Sequence, residues 1–501
     1  MTKTAPMQPF DDSTRPGLWK KLFLGAFLVI FAAASATAVA AFREIDKVVD
    51  ALDQHKDLAL GQELAESDPG KPQTILLLGS DRRPDDATDG GAGTGARSDT
   101  IILVRLDPER SATAMMSLPR DLRVEIPGHG VDKINAAYSL GGPRLTLRTV
   151  KRLTGLPINH VINVDFQGFR RAIDSLGCIY SDVDRRYYND TAEYAFIDVP
   201  AGYQQMCGEK ALQYARFRHE DSDLVRGIRQ QDLLRDAKQQ VSALALFDDR
   251  DELIEIFGKY TTSDGALKDR AELLRLIKLG LFSVGQPIRH VKFEGDDVGI
   301  TSGDVDAGVP SYVTASDATV KKLAQQFLGV EDTPGPRGTL KRKRRGKVER
   351  VVQNPGGLAK DETYGLEQAV SAIERGLGGR KFPVYYPTVR VADSQYVGTR
   401  VYPLKTPDGP FRRSYRMVLK RPYVGEFYGI QGTRWRNPPI LENPTETRKI
   451  GKRQFELHWE GDRLRLVAWR TPRASYWVSN TLLQTLGEKQ MMAIARSTRL
   501  P

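Results

Sequence analysis

Apolar residues first collect in one uncharged run, Leu22 to Phe42. It is long enough to cross the hydrocarbon of a bilayer as a helix. Arg15, Lys20 and Lys21 precede it, and the mixed charges Arg43, Glu44, Asp46 and Lys47 follow. That asymmetry predicts a cytoplasmic tail over 1–21, a membrane span over 22–42, and the remaining chain outside. The small residues from Ala32 to Ala41 also permit the other reading, a cleaved signal peptide.

A charged, weakly helical stretch at 43–71 reads as a stalk. The pattern then alternates. Thr74 to Leu78 is continuously apolar and closed by Gly79-Ser80, as in a strand buried on both faces. Ile101 to Val104 and Ala112 to Leu118 read the same way, the first two strands being separated by a Gly- and Asp-rich loop from Pro84 to Gly95. Gly141-Gly142-Pro143 precede a helix marked by Leu145, Val150 and Leu153; Val161 to Val164 is a strand, and Phe169 to Leu176 a helix stopped by Gly177. Helical periodicity returns at Leu233 to Leu246 and Leu253 to Phe257, then a strand at Pro287 to Phe293 and a helix at Ala315 to Leu328. This alternation predicts one α/β domain over 72–330.

Residues 331–360 are Pro/Gly-rich and carry the run Lys341-Arg342-Lys343-Arg344-Arg345-Gly346-Lys347, which repels itself and reads as an open linker. It is either plainly solvated or in contact with anionic lipid or wall polymer; a nucleic-acid partner does not suit an exported chain. Over 361–501 the pattern changes again. Leu366, Ala369, Val370 and Ile373 share a helical face, and Tyr415 to Leu419 is a strand. Phe455, Leu457 and Trp459 alternate with polar residues, turn at Glu460-Gly461-Asp462, and return as Leu464, Leu466 and Ala468, a hairpin pattern. Thr485 and Glu488 have capping-box spacing before a last helix to Ser497. A smaller α+β domain is expected, its tryptophans (Trp435, Trp459, Trp469, Trp477) serving packing better than a sugar platform.

With 501 residues the chain holds two or three domains, and a net charge of +11 favours an anionic partner without choosing one. Its two cysteines, Cys178 and Cys207, form a disulfide if the body is exported, or are two unrelated buried thiols.

The candidate chemistry centres on Arg216, Arg218, Arg226 and Arg229, interleaved with Asp221 and Asp223. Arg216 and Arg218 share a face if extended, and Arg226, Arg229 and Gln230 stack if helical. A planar guanidinium grips phosphate oxygens with two parallel hydrogen bonds. The segment reads as a pyrophosphate clamp or as a salt-bridged helix end. The strands deliver more of the same at Asp81-Arg82-Arg83, Arg97-Ser98-Asp99 and Pro119-Arg120-Asp121. Asp81 and Asp99 suit a Mg²⁺, and Arg97, Arg120, Arg216, Arg218 and Arg226 suit phosphates. P-loop, serine-elbow and HExxH patterns are absent.

Gly79 to Arg83, Arg97 to Thr100, Ser117 to Asp121, Asp132 to Tyr138, Gly208 to Arg218 and Asp223 to Gln231, in this order and spacing, resemble the motifs of the LytR-CpsA-Psr family of cell-wall glycopolymer phosphotransferases. The resemblance implies a central mixed sheet flanked by helices with an apolar lipid channel. It implies an extracytoplasmic, membrane-anchored enzyme moving a glycopolymer from a polyprenyl-pyrophosphate carrier onto peptidoglycan through a phosphodiester. Asp81 and Asp99 then match magnesium ligands and, with Arg120, the catalytic set; Arg83, Arg97, Arg120, Arg216, Arg218, Arg226, Arg229 and Gln230 surround the pyrophosphate. Two other functions fit less well: a pyrophosphatase with water as acceptor, and a non-catalytic lipid- or wall-binding protein, which would not need the aspartate pair. The long loop between Asp81 and Arg97 departs from the family pattern, as does the last domain, whose role stays open.

Overall fold

The computed structural model describes residues 46–53, 58–80, 98–191, 196–217, 222–240, 250–283, 286, 288–293, 298–301, 311–329, 357–361, 363–377, 382–423 and 425–501. The run Leu22 to Phe42, the Pro84 to Gly95 loop and the basic run Lys341 to Lys347 lie outside them. Among the described residues no helix is long and apolar enough to cross a membrane.

Strands β1 (Gln73–Ser80), β2 (Ser98–Asp107), β3 (Ala112–Ser117), β4 (His160–Asp165), β5 (Thr261–Ser263) and β6 (Ile288–Val291) form one mixed sheet in the order β5-β4-β1-β2-β3-β6. Central β1 runs antiparallel to β2 and parallel to β4. The apolar runs are long because the sheet is covered. Leu76, Leu78, Ile101, Leu103, Ala114 and Met116 enter a core completed by Leu147 and Val150 of helix α1 (Ala136–Thr154) and by Val320, Leu323 and Phe327 of a later helix, Asp317–Leu328. At the end of β1 the pairing shifts, Gly79 facing Thr100 and Ser80 facing Ser98. A Cβ on Gly79 would stand 2.9 Å from Thr100 Cβ, so glycine lets the two strands close at this point. Asp81 follows immediately in the chain.

The helix expected after Pro143 begins earlier. Residues 136–140 form a first turn, Gly141 and Gly142 break it (Gly142 at φ 61°), and Pro143 restarts it. It stops at Gly155 (φ 66°), whose N–H bonds the Lys151 carbonyl, the left-handed cap that glycine supplies without strain. The expected stalk does not stand free: Leu52 and Leu60 are buried, Lys47 pairs with Asp251 at 2.7 Å and Asp46 with Arg270 at 2.7 Å. Residues 46–53 and 58–71 are laid along the domain, because their leucines have an apolar surface to cover.

The C-terminal part is built on a seven-stranded antiparallel sheet. Its strands β7 (Gln395–Leu404), β8 (Arg412–Lys420), β9 (Phe427–Thr433), β10 (Glu446–Ile450), β11 (Arg453–Glu460), β12 (Arg463–Thr471) and β13 (Ala474–Ser479) run in the order β7-β8-β9-β13-β12-β11-β10. Helices Tyr364–Ala372 and Glu488–Ser497 flank it, as the apolar pattern predicts. The hairpin turning at Glu460 to Asp462 is β11–β12. Leu358–Lys360, at the end of the expected linker, pairs with Val389–Val391 and so belongs to this module. The capping box expected at Thr485 and Glu488 is replaced: the Gly487 N–H donates to Gln490 Oε1 at 2.9 Å, while the Thr485 hydroxyl donates to Glu426. Trp469 and Trp477 are core residues.

The two parts share interior. Tyr180 and Tyr203 pack with Tyr402, Leu441, Leu466 and Trp477, and Asp182 accepts from Arg416 Nη1 at 3.3 Å and from Trp477 Nε1 at 3.1 Å.

Candidate functional site

The arginine segment carries two helices, one ending at Arg216 and one beginning at Asp223. Helix α2 (Phe166–Ser175) leads to Cys178, which is disulfide-bonded to Cys207 with the Cα atoms 4.4 Å apart. Cys207 is the N-cap of helix α3 (Gly208–Arg216), and Asp174 accepts the Gly208 N–H at 2.7 Å. A Cβ at Gly208 has no room against the Arg170 carbonyl. The bridge and this glycine therefore seat α3 on α2. Arg216 is the last residue of α3 and therefore helical, so the condition for an extended face shared with Arg218 is not met at Arg216; its guanidinium lies 4.5 Å from the centroid of the Phe166 ring.

Helix α4 (Asp223–Gln240) carries Arg226, Gly227, Arg229, Gln230 and Gln231. Its faces separate them. Arg226 (3% exposed) and Gln230 turn to a small cleft lined also by Ser117, Leu118 and Pro119 at the end of β3, and by Gln231, Lys292 and Phe293. Gly227 lets α4 approach that strand end, since a Cβ there would stand 2.9 Å from Ser117 Oγ. Gln230 Nε2 donates to the Ala215 carbonyl at 3.2 Å, which ties the cleft wall to α3.

Arg229 turns the other way. It is 0% exposed, donates from Nη1 to the Tyr214 carbonyl at 2.7 Å and from Nη2 to the Phe217 carbonyl at 2.6 Å, and lies 4.6 Å from the Tyr187 ring centroid. Three-residue spacing grouped it with Arg226. The structure instead makes it a brace for the backbone on either side of Arg216, because the two rows diverge once α3 packs against one side of α4.

Arg120 is 4% exposed, immediately after Pro119, with its Nε 3.6 Å from Asp121 Oδ1; Lys133 also reaches that carboxylate at 3.2 Å. The Arg120 carbonyl accepts the Asn135 N–H, linking the third and fourth motifs. Asp81, Arg83, Arg97 and Arg218 lie outside the described residues, and of Asp99 only its backbone place in β2 is described.

Motif reasoning missed Gln231, Lys292 and Glu460. Gln231 adjoins Gln230 on the same helix, which was a signal; Lys292 follows an unremarkable strand, and Glu460 sits in a hairpin turn far along the chain. His290 Nδ1 lies 2.8 Å from Gln231 Oε1, and His290 Nε2 lies 3.0 Å from Glu460 Oε1. Arg235 Nη1 is 3.6 Å from the other Glu460 oxygen. Burial raises the Glu460 carboxyl, but His290, Lys292 and Arg235 together outweigh it and hold the group well below the usual carboxylate range. Glu460 is an anion.

An α/β domain whose strand end and arginine-bearing helix enclose a cleft has the means to hold a phosphorylated group: fixed guanidinium and amide donors at a partly dry site. The chain belongs to the LytR_cpsA_psr family, whose pattern it matches over residues 34–325. It is similar to the polyisoprenyl-teichoic acid–peptidoglycan teichoic acid transferase TagT of Bacillus subtilis (strain 168), 31% identical over 330 residues, which are 62% of this chain and 95% of that protein. TagV of the same organism, with the same kind of name, is 34% identical over 241 residues, 47% of this chain and 60% of the relative. A solved structure of TagT bound to LIIa-WTA is 25% identical, covers 55% of this chain and 100% of its own, and has a TM-score of 0.42.

Proposed function

We propose that this protein is a membrane-anchored, extracytoplasmic phosphotransferase that moves a glycopolymer from a polyprenyl-pyrophosphate carrier onto peptidoglycan. Family membership and the names of its relatives support the reaction class. The observation that carries it to this chain is the convergence of Arg226 and Gln230 on the cleft at the end of β3. In the reaction an acceptor hydroxyl attacks the sugar-side phosphorus. Its P–O bond forms, the bond to the bridging oxygen breaks, and polyprenyl phosphate leaves with the electron pair. The hydroxyl proton is released. Arg226 and Arg120 hold phosphate oxygens in ground and transition states; Arg216, Arg218, Arg83 and Arg97 are assigned the same part. Asp81 and Asp99 are the hard oxygen donors that would hold a Mg²⁺, which when bound would offset charge on the departing oxygen. Arg229 stabilises the fold of the Arg216 segment.

The test uses full-length protein, an octaprenyl-pyrophosphate-linked disaccharide as donor and a soluble peptidoglycan fragment as acceptor. Octaprenyl phosphate and glycan-bearing fragment are expected in equal amounts. Arg226→Ala should lower kcat/KM by about 100-fold, a loss of about 2.7 kcal/mol, and Arg226→Lys should not restore it. Lipid release without labelled fragment would replace this reading with hydrolysis; no release at all would reject both.

A further inference from the structure

The C-terminal module reaches the cleft. The β11–β12 turn places Glu460 against His290 of β6, and His290 in turn meets Gln231 in the cleft wall. Glu460 is held from its own side as well, because Gln484 Nε2 donates to its second oxygen. Leu482, from the same module, packs on Val225 and Ile228 of α4, and Gly425 (φ 73°) approaches Val225 so closely that a Cβ there would stand 2.5 Å from Cγ2. The module therefore grips the helix that carries the cleft residues at two places: an apolar seat, and the chain from Glu460 through His290 to Gln231.

That chain has a direction. An amide side chain presents an acceptor on one side and two donors on the other. The structure sets Gln231 Oε1 toward His290 Nδ1, which leaves its NH₂ for the cleft. Only an imidazole with hydrogen on Nδ1 keeps it so. The carboxylate beside Nε2 requires a hydrogen there too, because a bare nitrogen lone pair facing an anion at 3.0 Å is repelled. If His290 kept only the Nε2 hydrogen, the amide would turn over and present its oxygen to the cleft, where it would repel a phosphate. The side chain of His290 is 1% exposed, so water does not substitute for either partner. The other charged groups around its partner Glu460 are Lys292 after β6 and Arg235 of α4, the latter with Asp232 and Asp236 of α4 and Arg465 of β12 beside it.

We infer that Glu460, acting through His290, is a positioning residue that fixes the amide of Gln231 with its NH₂ toward the diphosphate of the lipid donor. The inference rests on the reading of the cleft as a diphosphate site. It gives the C-terminal module a part in the reaction, completing the site from outside the catalytic domain.

The experiment is a double-mutant cycle on the full chain with the octaprenyl-pyrophosphate-linked disaccharide. Glu460→Gln keeps the shape of the side chain and removes its charge; Gln231→Met keeps the length and removes the amide. Each alone is expected to raise the donor KM about tenfold with kcat within about twofold, because the amide holds the diphosphate alike before and during transfer. Combined, they should raise KM no further, since Glu460 acts only through Gln231. Gln231→Glu, which puts oxygen on both sides, should raise KM far more and keeps the test alive if Glu460→Gln does not fold. An unchanged KM in Glu460→Gln, effects that multiply in the double variant, or a Gln231→Glu protein that binds donor normally would each overturn the inference. Wild-type protein inactive on this donor would instead reject the functional reading, as would Arg226→Ala retaining full activity.

Discussion

At the scale of single residues, the direction each side chain takes sorted the arginines. Arg226 and Arg229 are three apart on one helix, and spacing treats them alike. Arg229 answers the Tyr214 and Phe217 carbonyls, which would otherwise lose their partners as α3 ends. His458 is a second residue whose environment overrides its type. Burial, with Arg465 and Arg470 adding to it, pushes its imidazole down to about 3 from 6.5. The folded value lies below the unfolded one, so between those limits the unfolded chain binds a proton that the folded chain refuses. Stability then falls as the pH falls from about 6.5 toward 3. At pH 5 the cost is about 2 kcal/mol relative to pH 7. His458→Gln should lose this dependence and show a smaller drop in urea midpoint between pH 7 and pH 5. Equal drops in the two proteins would exclude His458 as the cause.

Among the elements, α3 and α4 do most to build the site, and both are positioned by features of different legibility. The Arg226–Gln230 pair on α4 was visible as four-residue spacing. That α3 continues through Arg216 was not, because Phe217-Arg218 reads equally well as a strand; the Cys178–Cys207 bridge and the Gly208 contact decide its placement. Closing that loop should stabilise by roughly 3 kcal/mol. Native protein treated with an alkylating agent should show no modified thiol by intact mass until reductant is added. Once reduced, it should melt at lower temperature and lose donor affinity, as α3 is released. Two thiols alkylated without reductant would contradict the bridge.

For the whole molecule, the unexpected result is that the last 140 or so residues are not a tethered accessory. Tyr203 hydrogen-bonds the Ile440 N–H and packs on Trp477, and Arg400 Nη1 donates to the Ala201 carbonyl at 2.6 Å. These are interior contacts, of a kind that holds two parts in one arrangement. The N-terminal region raises a separate question of orientation. Leu22 to Phe42 with its flanking charges argues for one span with the body outside. A reporter fused after Arg43 is therefore expected to act only on the extracytoplasmic side, and full-length protein to sediment with membranes. Cytoplasmic reporter activity would reverse the topology and remove the oxidising setting the disulfide needs.

The sequence by itself determined the buried strands β1 to β3, the hairpin at Glu460 and the family, because each is written in contiguous residues: apolar runs, period-two alternation, motifs in fixed order. It also showed arginines and aspartates at the ends of those apolar runs. The tertiary structure alone decided which arginine faces the cleft and which braces a backbone, since that depends on where α3 packs against α4. It alone joined Glu460, His290 and Gln231, which stand far apart in the chain and carry no shared pattern. Local rules see neighbours along the chain; the polarity of a cleft wall is set by neighbours in space.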